Sequence, residues 1–243
     1  MPAAPVVLIS GATGALGRAT ALKLGGAGYR VGVHYHRNES AARRLCRAIE
    51  RAGGRAIALG ADLRYRATVE QLTDALLRRW RRVDLLVHCA GGLRDGLLVR
   101  MTTDDWRGVV DTHLTSAFHL LQAVGRVMIA QRGGQILLIG SIAGLRGRAG
   151  QANYAAAKAG LVALTMTAAR EWGRHNIQVN CLLPGYLAAG MGARMTARRR
   201  AQLSGDQLLA RRPTAARAAD AIAALSRLRH ISGQIINADS RLV

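Results

Sequence analysis

The chain has 243 residues, half of them apolar, and a formal net charge of +21, which suits one α/β domain or two small ones. It has no run of about 18 apolar residues that could span a membrane, and its first residues lack the basic segment of a signal peptide, so we expect a cytoplasmic protein. Its cysteines are odd in number and far apart, which argues against a disulfide framework or a zinc site; they are Cys46, Cys89 and Cys181.

The first predicted elements are a strand, a glycine-rich turn and a helix. Val6–Ser10 is an apolar run typical of a buried strand, Gly11–Gly17 reads GATGALG, and Arg18–Gly26 is helix-like. Glycines let a ligand approach the backbone closely, and a helix N-terminus supplies N–H groups and a positive dipole. This arrangement predicts a cradle for the phosphates of a dinucleotide.

The second predicted strand, Tyr29–Tyr35, ends without the acidic residue that would bind the ribose hydroxyls of NAD. It runs instead into His36 and Arg37. A basic end accommodates a 2′-phosphate, which favours NADPH. A solvated loop in an arginine-rich chain explains the same residues equally well.

The remaining elements alternate between helix and strand. We predict helices over 40–52, 69–80, 103–131 (capped by Thr102, and continuous or broken along its length), from Tyr154 to about Arg174, and over 220–229. We predict strands over 56–59, 84–88, 135–140, 177–183 and 234–238, with an irregular basic stretch over 186–212. Alternation of this kind predicts an α/β fold: a single Rossmann-like, doubly wound parallel sheet with helices on both faces, forming one domain over residues 1–243.

A tyrosine and a lysine lie four residues apart in the sequence GQANYAAAKAG, residues 150–160. The alanines between Tyr154 and Lys158 predict a helix, on which residues i and i+4 share one face. A nearby cation lowers the pKa of a phenol, so the pair is a candidate proton donor and acceptor. Only two of the 35 basic residues are lysines, Lys23 and Lys158. The alternative is a packed tyrosine beside a solvated lysine.

Several small or polar residues follow the predicted strands, at the edge where ligands bind in such sheets. They are Gly11 to Gly17, Asp62, Ala90, Gly91, Ser141, Pro184 and Gly185. Ser141 lies thirteen residues before Tyr154, close enough for both hydroxyls to meet the same substrate oxygen.

At this point the sequence resembles the short-chain dehydrogenase/reductase family over essentially its full length. Within that family it is most similar to the 3-oxoacyl-[acyl-carrier-protein] reductases. Three segments carry the likeness: Ser141–Gly144, residues 150–160, and Arg94–Met101, which reads RDGLLVRM.

The resemblance implies an NADP(H)-dependent enzyme that reduces a 3-ketone to a 3-hydroxyl, in fatty acid or polyketide-like synthesis. Tyr154 would give its proton to the carbonyl oxygen, Ser141 would hydrogen-bond that oxygen, and Lys158 would lower the tyrosine pKa and hold the nicotinamide ribose. Asp62 would bind the adenine. The expected cofactor-binding residues are Gly11, Thr13, Gly14, Leu16, Gly17, His36, Arg37, Asp62, Leu63, Ala90, Gly91, Tyr154, Lys158, Pro184 and Gly185; no metal site is expected.

Four departures from the family pattern bear on turnover. The glycine turn Ser10–Gly17 is spaced as in the extended members, and His88–Gly91 replaces the motif N-N-A-G. The asparagine of the proton relay aligns with His113, and a threonine that contacts the carboxamide aligns with Ala189. His113 either preserves the relay through its backbone carbonyl, as a catalytic residue, or is a packed core histidine.

The net charge of +21 has three candidate explanations: an acidic partner, nucleic acid or a general arginine bias. Because the arginines are dispersed without interleaved aromatic residues, nucleic acid is the least favoured. An acyl carrier protein is acidic, and the resemblance places Arg132 and the pair Arg174–His175 near its docking positions; arginine bias explains each residue equally well.

Other functions remain open. One is an oxidoreductase acting on a small free ketone. Another is a weakly active cofactor-binding subunit that pairs with an active homologue in a hetero-oligomer. The resemblance also implies a homo-oligomer, a tetramer or a dimer, built through the long helices near His113 and Tyr154.

Overall fold

The computed structural model describes residues 4–190, 207–209 and 214–241. Its centre is a seven-stranded sheet in the order β3-β2-β1-β4-β5-β6-β7, and every pair of neighbouring strands is parallel. The strands are β1 (Val6–Ser10), β2 (Arg30–Tyr35), β3 (Arg55–Gly60), β4 (Leu85–His88), β5 (Gly134–Ile139), β6 (Ile177–Leu183) and β7 (Ile235–Asn237). The predicted parallel α/β sheet is confirmed.

Helices cover both faces of this sheet. They are α1 (Ala15–Gly26), α2 (Glu39–Arg51), α3 (Arg66–Trp80), α4 (Thr103–Val110), α5 (Ser116–Gln131), the short α6 (Ala143–Arg146), α7 (Ala152–Trp172) and α8 (Ala215–Leu225). Short 3₁₀ turns occupy Leu98–Arg100 and Gly173–His175. Among the described residues, no helix is long and apolar enough to cross a bilayer.

Strand β1 shows why the sequence forms a sheet covered on both sides. All five of its residues are buried, and side chains alternate between the two faces of a strand. Val6 and Leu8 join the apolar core shared with α3, α5 and α7, whereas Val7 and Ile9 join the core shared with α1, α2 and α8. A continuous apolar run is therefore the pattern that this position requires.

The strand order reverses beside β1, because β1 pairs with β2 on one side and with β4 on the other. In open parallel sheets this reversal creates a crevice beyond the carboxyl ends of the strands, where ligands bind. The loops after β1, β4 and β5 meet at this edge and carry the candidate site.

Some predicted boundaries differ from the observed ones. Helix α1 begins three residues before the predicted start, with Gly14 as its N-cap. The last helix begins at Ala215 and ends at Leu225, rather than spanning 220–229, because the Thr214 side chain accepts a hydrogen bond from the Arg217 N–H at 3.2 Å. Most of the irregular stretch predicted over 186–212 lies outside the described residues.

The helix predicted over 103–131, for which a break was left open, is interrupted. A π-helical turn, Asp111–Thr115, separates α4 from α5, and such turns insert an extra residue into an α-helix. His113 lies in this turn and is fully buried. The interruption therefore falls beside the candidate site.

Candidate active site

The glycine turn between β1 and α1 lies against the loop that follows β4. Gly11 has a φ of +61°, in the left-handed region, and a Cβ there would lie 2.7 Å from the Ala90 Cα. A Cβ on Gly17 would lie 2.8 Å from the Ala12 Cα. Both positions therefore require glycine.

The start of α1 is available to an anion. Its N-cap, Gly14, is extended and makes no side-chain capping bond, and the first turn holds no acidic residue. The N–H groups and positive dipole of this end thus fit the phosphates of a dinucleotide. Thr13 is partly exposed beside the turn, but Leu16 is buried in the core, so only its backbone can contact a ligand.

His34 ties the glycine turn to the loop after β3. Its Nδ1 accepts from the Gly11 N–H at 2.9 Å, which leaves the proton on Nε2 to be donated to the Ala61 carbonyl at 3.1 Å. Burial lowers the pKa of His34 to about 4, so the ring is neutral at physiological pH. The sequence analysis did not recognise this role, because both partners are backbone groups distant in the chain.

A cavity of about 250 Å³ opens beyond the ends of β2, β3 and β4. The predicted cofactor residues His36, Arg37, Asp62, Leu63 and Ala90 all line it. The sheet thus brings together side chains from three loops, as a mononucleotide pocket requires.

The Asp62 carboxylate in this cavity is already engaged. The Arg64 guanidinium donates to it from Nε at 2.9 Å and from Nη2 at 2.6 Å, and the His36 ring lies 3.4 Å away. The hydrogen bond from Arg64 is the main reason that the pKa of Asp62 is lowered. The predicted adenine contact of Asp62 stays a prediction, and any such contact shares the carboxylate with Arg64.

Tyr154 and Lys158 lie on one face of α7, as predicted. The Lys158 Nζ is 5.5 Å from the centroid of the Tyr154 ring, and the Ser141 side chain lies close enough to the Tyr154 phenol to lower its pKa. Ser141 follows β5, so the loop and the helix bring the two hydroxyls together. The geometry suits two groups that bind one oxygen atom.

The expectation that Tyr154 is acidified is wrong for the unliganded chain. Its burial raises the pKa of the phenol, and the hydrogen bond from Ser141 and the charge of Arg148 only partly oppose this rise. The phenol therefore keeps its proton at neutral pH, as a proton donor must.

Lys158 is the more perturbed member of the pair. Its side chain is buried, and Nζ donates to the Ile139 carbonyl at 2.6 Å. Burial of the charge lowers its pKa from 10.5 to about 8. An ammonium has three donors, so two remain for a bound ligand.

Polar side chains at the start of α7 fix the helix against the segment after β4. The Gln151 Nε2 donates to both Asp95 carboxylate oxygens at 3.0 Å. The Asn153 Nδ2 donates to the Arg94 carbonyl at 2.9 Å and to the Asp105 carbonyl at 3.0 Å. These contacts set the position of Tyr154. The sequence analysis missed them, and the signal that could have revealed them was the two amide residues, Gln151 and Asn153, just before the tyrosine.

His113 packs edge-on against Tyr154, with ring centroids 5.1 Å apart and planes at 89°. Its Nε2 lies 2.8 Å from the Gly92 carbonyl oxygen and 3.0 Å from the Gly92 nitrogen, while Nδ1 has no partner within the described residues. Burial lowers its pKa well below 6.5. These features favour the packed, neutral histidine over a titrating one; a catalytic role stays a prediction.

The backbone carbonyl of His113 is bound by another buried histidine. The Ala90 N–H donates to the Ser10 hydroxyl at 3.1 Å, and this hydroxyl lies 2.8 Å from the His88 Nδ1. The opposite ring nitrogen of His88 lies 3.1 Å from the His113 carbonyl oxygen and must donate to it. A neutral ring therefore links the glycine turn to the π-helical turn, and burial keeps it neutral by lowering its pKa to about 3.

The remaining predicted residues follow strands β4 and β6. Gly91 faces the His113 ring, and a Cβ there would lie 2.7 Å from Nδ1. Pro184 and Gly185 follow β6, and Gly185 has a φ of +78°. Ala189 is exposed. In the described part of the chain, no three histidine, cysteine or acidic side chains are grouped to hold a metal ion.

Comparison with known proteins identifies relatives over most of the chain. Residues 5–200 match the family described as short chain dehydrogenase. A 3-oxoacyl-[acyl-carrier-protein] reductase of Synechocystis is 41% identical over 194 residues, which cover 80% of this chain and 78% of that protein. The reductase FabG of Staphylococcus epidermidis is 38% identical, covering 76% and 75% of the two chains, and that of Staphylococcus aureus is 33% identical, covering 95% and 94%.

Proposed function

The chain belongs to the short-chain dehydrogenase family, whose members are oxidoreductases with a nicotinamide cofactor, and from this premise we propose that it reduces a 3-oxoacyl thioester to the 3-hydroxyacyl product with NADPH. The observation that carries the proposal is that the side chains of Ser141 and Tyr154 come together beside the buried Lys158. The names of the relatives support the substrate class.

In the proposed reaction, the hydroxyls of Ser141 and Tyr154 bind the substrate carbonyl oxygen. A bound nicotinamide would supply hydride to the carbonyl carbon. Tyr154 gives its proton to the oxygen as negative charge develops there, and Ser141 stabilises that charge by hydrogen bonding. Since burial keeps the phenol protonated, this donor is ready at neutral pH.

Lys158 has an electrostatic role in this scheme. Its charge lies close to the phenolate that forms when Tyr154 gives up its proton, and an adjacent cation favours the anionic form. The bond to the Ile139 carbonyl fixes the ammonium while two donors stay free for a ribose hydroxyl. The residue thus both positions a ligand and assists the proton transfer.

The preference for NADPH rests on the end of β2. Neither His36 nor Arg37 is acidic, and both are exposed at the cavity that Asp62 also lines. The hydroxyls of an NAD ribose lack a carboxylate partner at this strand end, whereas a 2′-phosphate meets a guanidinium.

The test is a turnover assay on the purified chain with an acetoacetyl-carrier substrate and each reduced cofactor. We expect NADPH oxidation that falls at least about 10²-fold in Tyr154→Phe, because a positioned general acid contributes that much. NADPH binding should be retained. Tyr65→Phe is the matched control, since Tyr65 is exposed and does not line the cavity. Retained turnover in Tyr154→Phe would refute the assignment.

The same assay distinguishes two alternative functions. The first is an oxidoreductase that acts on a small free ketone, and an equal rate with such a ketone and with the carrier-bound substrate would favour it. The second alternative is a weakly active, cofactor-binding subunit, and the His113 ring packed against Tyr154 favours it. Turnover by the purified chain alone excludes that role.

We also propose that the chain forms a homo-oligomer through α5 and α7. Phe118 on α5 is 46% exposed and Met166 on α7 is 40% exposed, so both helices present apolar side chains to solvent. Light scattering should give two or four chains per particle, and Phe118→Glu should reduce that number.

A further inference from the structure

A second concave region lies outside the site described above, between α1 and α2. It is a cleft of about 490 Å³. It is lined by Arg44, Arg47 and Arg51 of α2, by Arg18 of α1 and by Thr13 of the glycine turn. We call it the arginine cleft.

The spacing of the α2 arginines explains how they share the cleft. Residues 44, 47 and 51 are separated by three and four positions, which places them on one face of a helix. At 1.5 Å per residue, the charges extend over about 10 Å. Leu45 and Ala48 form an apolar floor between them.

No carboxylate compensates these charges. None of the four arginines forms an ion pair with an acidic residue in the part of the chain that the structure describes, and no acidic residue lines the cleft. The neighbouring Arg43, by contrast, is paired with Glu39 at 2.6 Å. Arginine cannot lose its proton to relieve the repulsion, so the cleft favours an anion as its occupant.

We propose that the arginine cleft is a phosphate-binding site for a ligand with at least two negative charges. Guanidinium groups match the oxygens of phosphate in pairs, and the concave shape of the cleft suits a small molecule. The ligand is a phosphorylated molecule separate from the cofactor, because the proposed function assigns the cofactor 2′-phosphate to Arg37, which lines the other cavity and not this cleft.

The first experiment measures binding of inorganic pyrophosphate by calorimetry, which requires no turnover. We expect one site per chain, weakened at least tenfold in Arg44→Gln/Arg47→Gln. The matched control is Arg78→Gln/Arg79→Gln, which removes the same charge from exposed positions on α3 and should change affinity less than twofold. No binding by the unmodified chain, or equal weakening in both double variants, would overturn the proposal.

A second variant tests the same cleft if the first double variant does not fold. Ala48→Glu places a carboxylate on the cleft floor, four residues from Arg44, where it can form a helical ion pair. We expect it to raise the melting temperature and to abolish pyrophosphate binding. Undiminished binding in this variant would show that pyrophosphate binds elsewhere.

Saturation with each cofactor then tests whether the cleft is separate from the cofactor site. We expect pyrophosphate binding to be unaffected by either cofactor. Displacement of pyrophosphate by NADPH but not by NADH would assign the cleft to the cofactor 2′-phosphate and overturn the proposal. Equal displacement by both would mean that pyrophosphate had bound the glycine turn, and the cleft would lose its role.

Discussion

Replacing Lys158 by methionine tests the central electrostatic feature of the site. The side chain is 4% exposed, and its burial lowers the pKa from 10.5 to about 8. One pKa unit corresponds to about 1.4 kcal/mol, so the buried charge costs the folded chain about 3 kcal/mol at pH 7. The substitution also removes the donor to the Ile139 carbonyl, a loss of about 1 kcal/mol. We therefore expect Lys158→Met to stabilise the unliganded chain by about 2 kcal/mol while abolishing reduction.

The pH dependence of this gain has a defined sign. An unfolded lysine keeps its proton until about pH 10.5, whereas Lys158 in the folded chain loses it near pH 8. Between these values the unfolded state binds more protons, so the folded chain gains stability as the pH rises. The advantage of the variant should be complete below pH 8 and should disappear by about pH 10.5.

Urea unfolding and melting curves of both proteins measure this difference. For a chain of this size we expect the melting temperature at pH 7 to rise by roughly 4–8 °C. Lys23→Met is the control: Lys23 is the only other lysine, and its pair with Asp220 at 2.6 Å is exposed, so its loss should cost less than about 1 kcal/mol. A variant less stable than the unmodified chain at pH 7, or a gain that persists at alkaline pH, would contradict the reasoning.

Three further predictions concern the surrounding residues. Gly91→Ala should destabilise the chain by about 1–3 kcal/mol in urea unfolding, because its Cβ would lie 2.7 Å from the His113 Nδ1. Gly92→Ala is the control and should have little effect, because its Cβ would enter open space. If adding His113→Asn to Gly91→Ala restored none of the lost stability, the clash would lie elsewhere. Arg37→Ala should reduce the NADPH:NADH ratio of kcat/KM, and an unchanged ratio would point to another phosphate contact. Stability should fall as the pH drops below 6.5, because the pKa of His88 is lowered to about 3 and the unfolded chain binds the proton first; a His88→Gln chain whose acid unfolding midpoint does not move to lower pH would argue against this.

The fold could be predicted because its signals are local. A strand buried on both faces requires an uninterrupted apolar run, and Val6–Ser10 has one. The glycine turn and the loop serine follow predicted strands, and the tyrosine and lysine of α7 are four residues apart. Each of these patterns involves neighbouring residues, so no tertiary information was needed.

The unpredicted features depend on contacts between distant segments. The direction of the Tyr154 pKa shift follows from burial by several elements. His34 and His88 occupy ordinary strand positions, and their roles come from partners 23 to 78 residues away. Likewise, a break in the helix over 103–131 was left open, but its position could not be predicted because Asp111–Thr115 carries no glycine or proline.

The π-helical turn at Asp111–Thr115 changes which side of the following helix faces the sheet. One added residue turns the following helix by about 100° relative to α4, so α4 and α5 present different faces to the sheet although the chain continues without a loop. Hydroxyls satisfy carbonyls of the widened turn: the Thr112 Oγ1 donates to the Gly108 oxygen and the Ser116 Oγ to the Thr112 oxygen, both at 2.6 Å. Deleting a single residue here would restore a regular helix and withdraw the His113 oxygen from His88, which would uncouple the π-helical turn from the glycine turn.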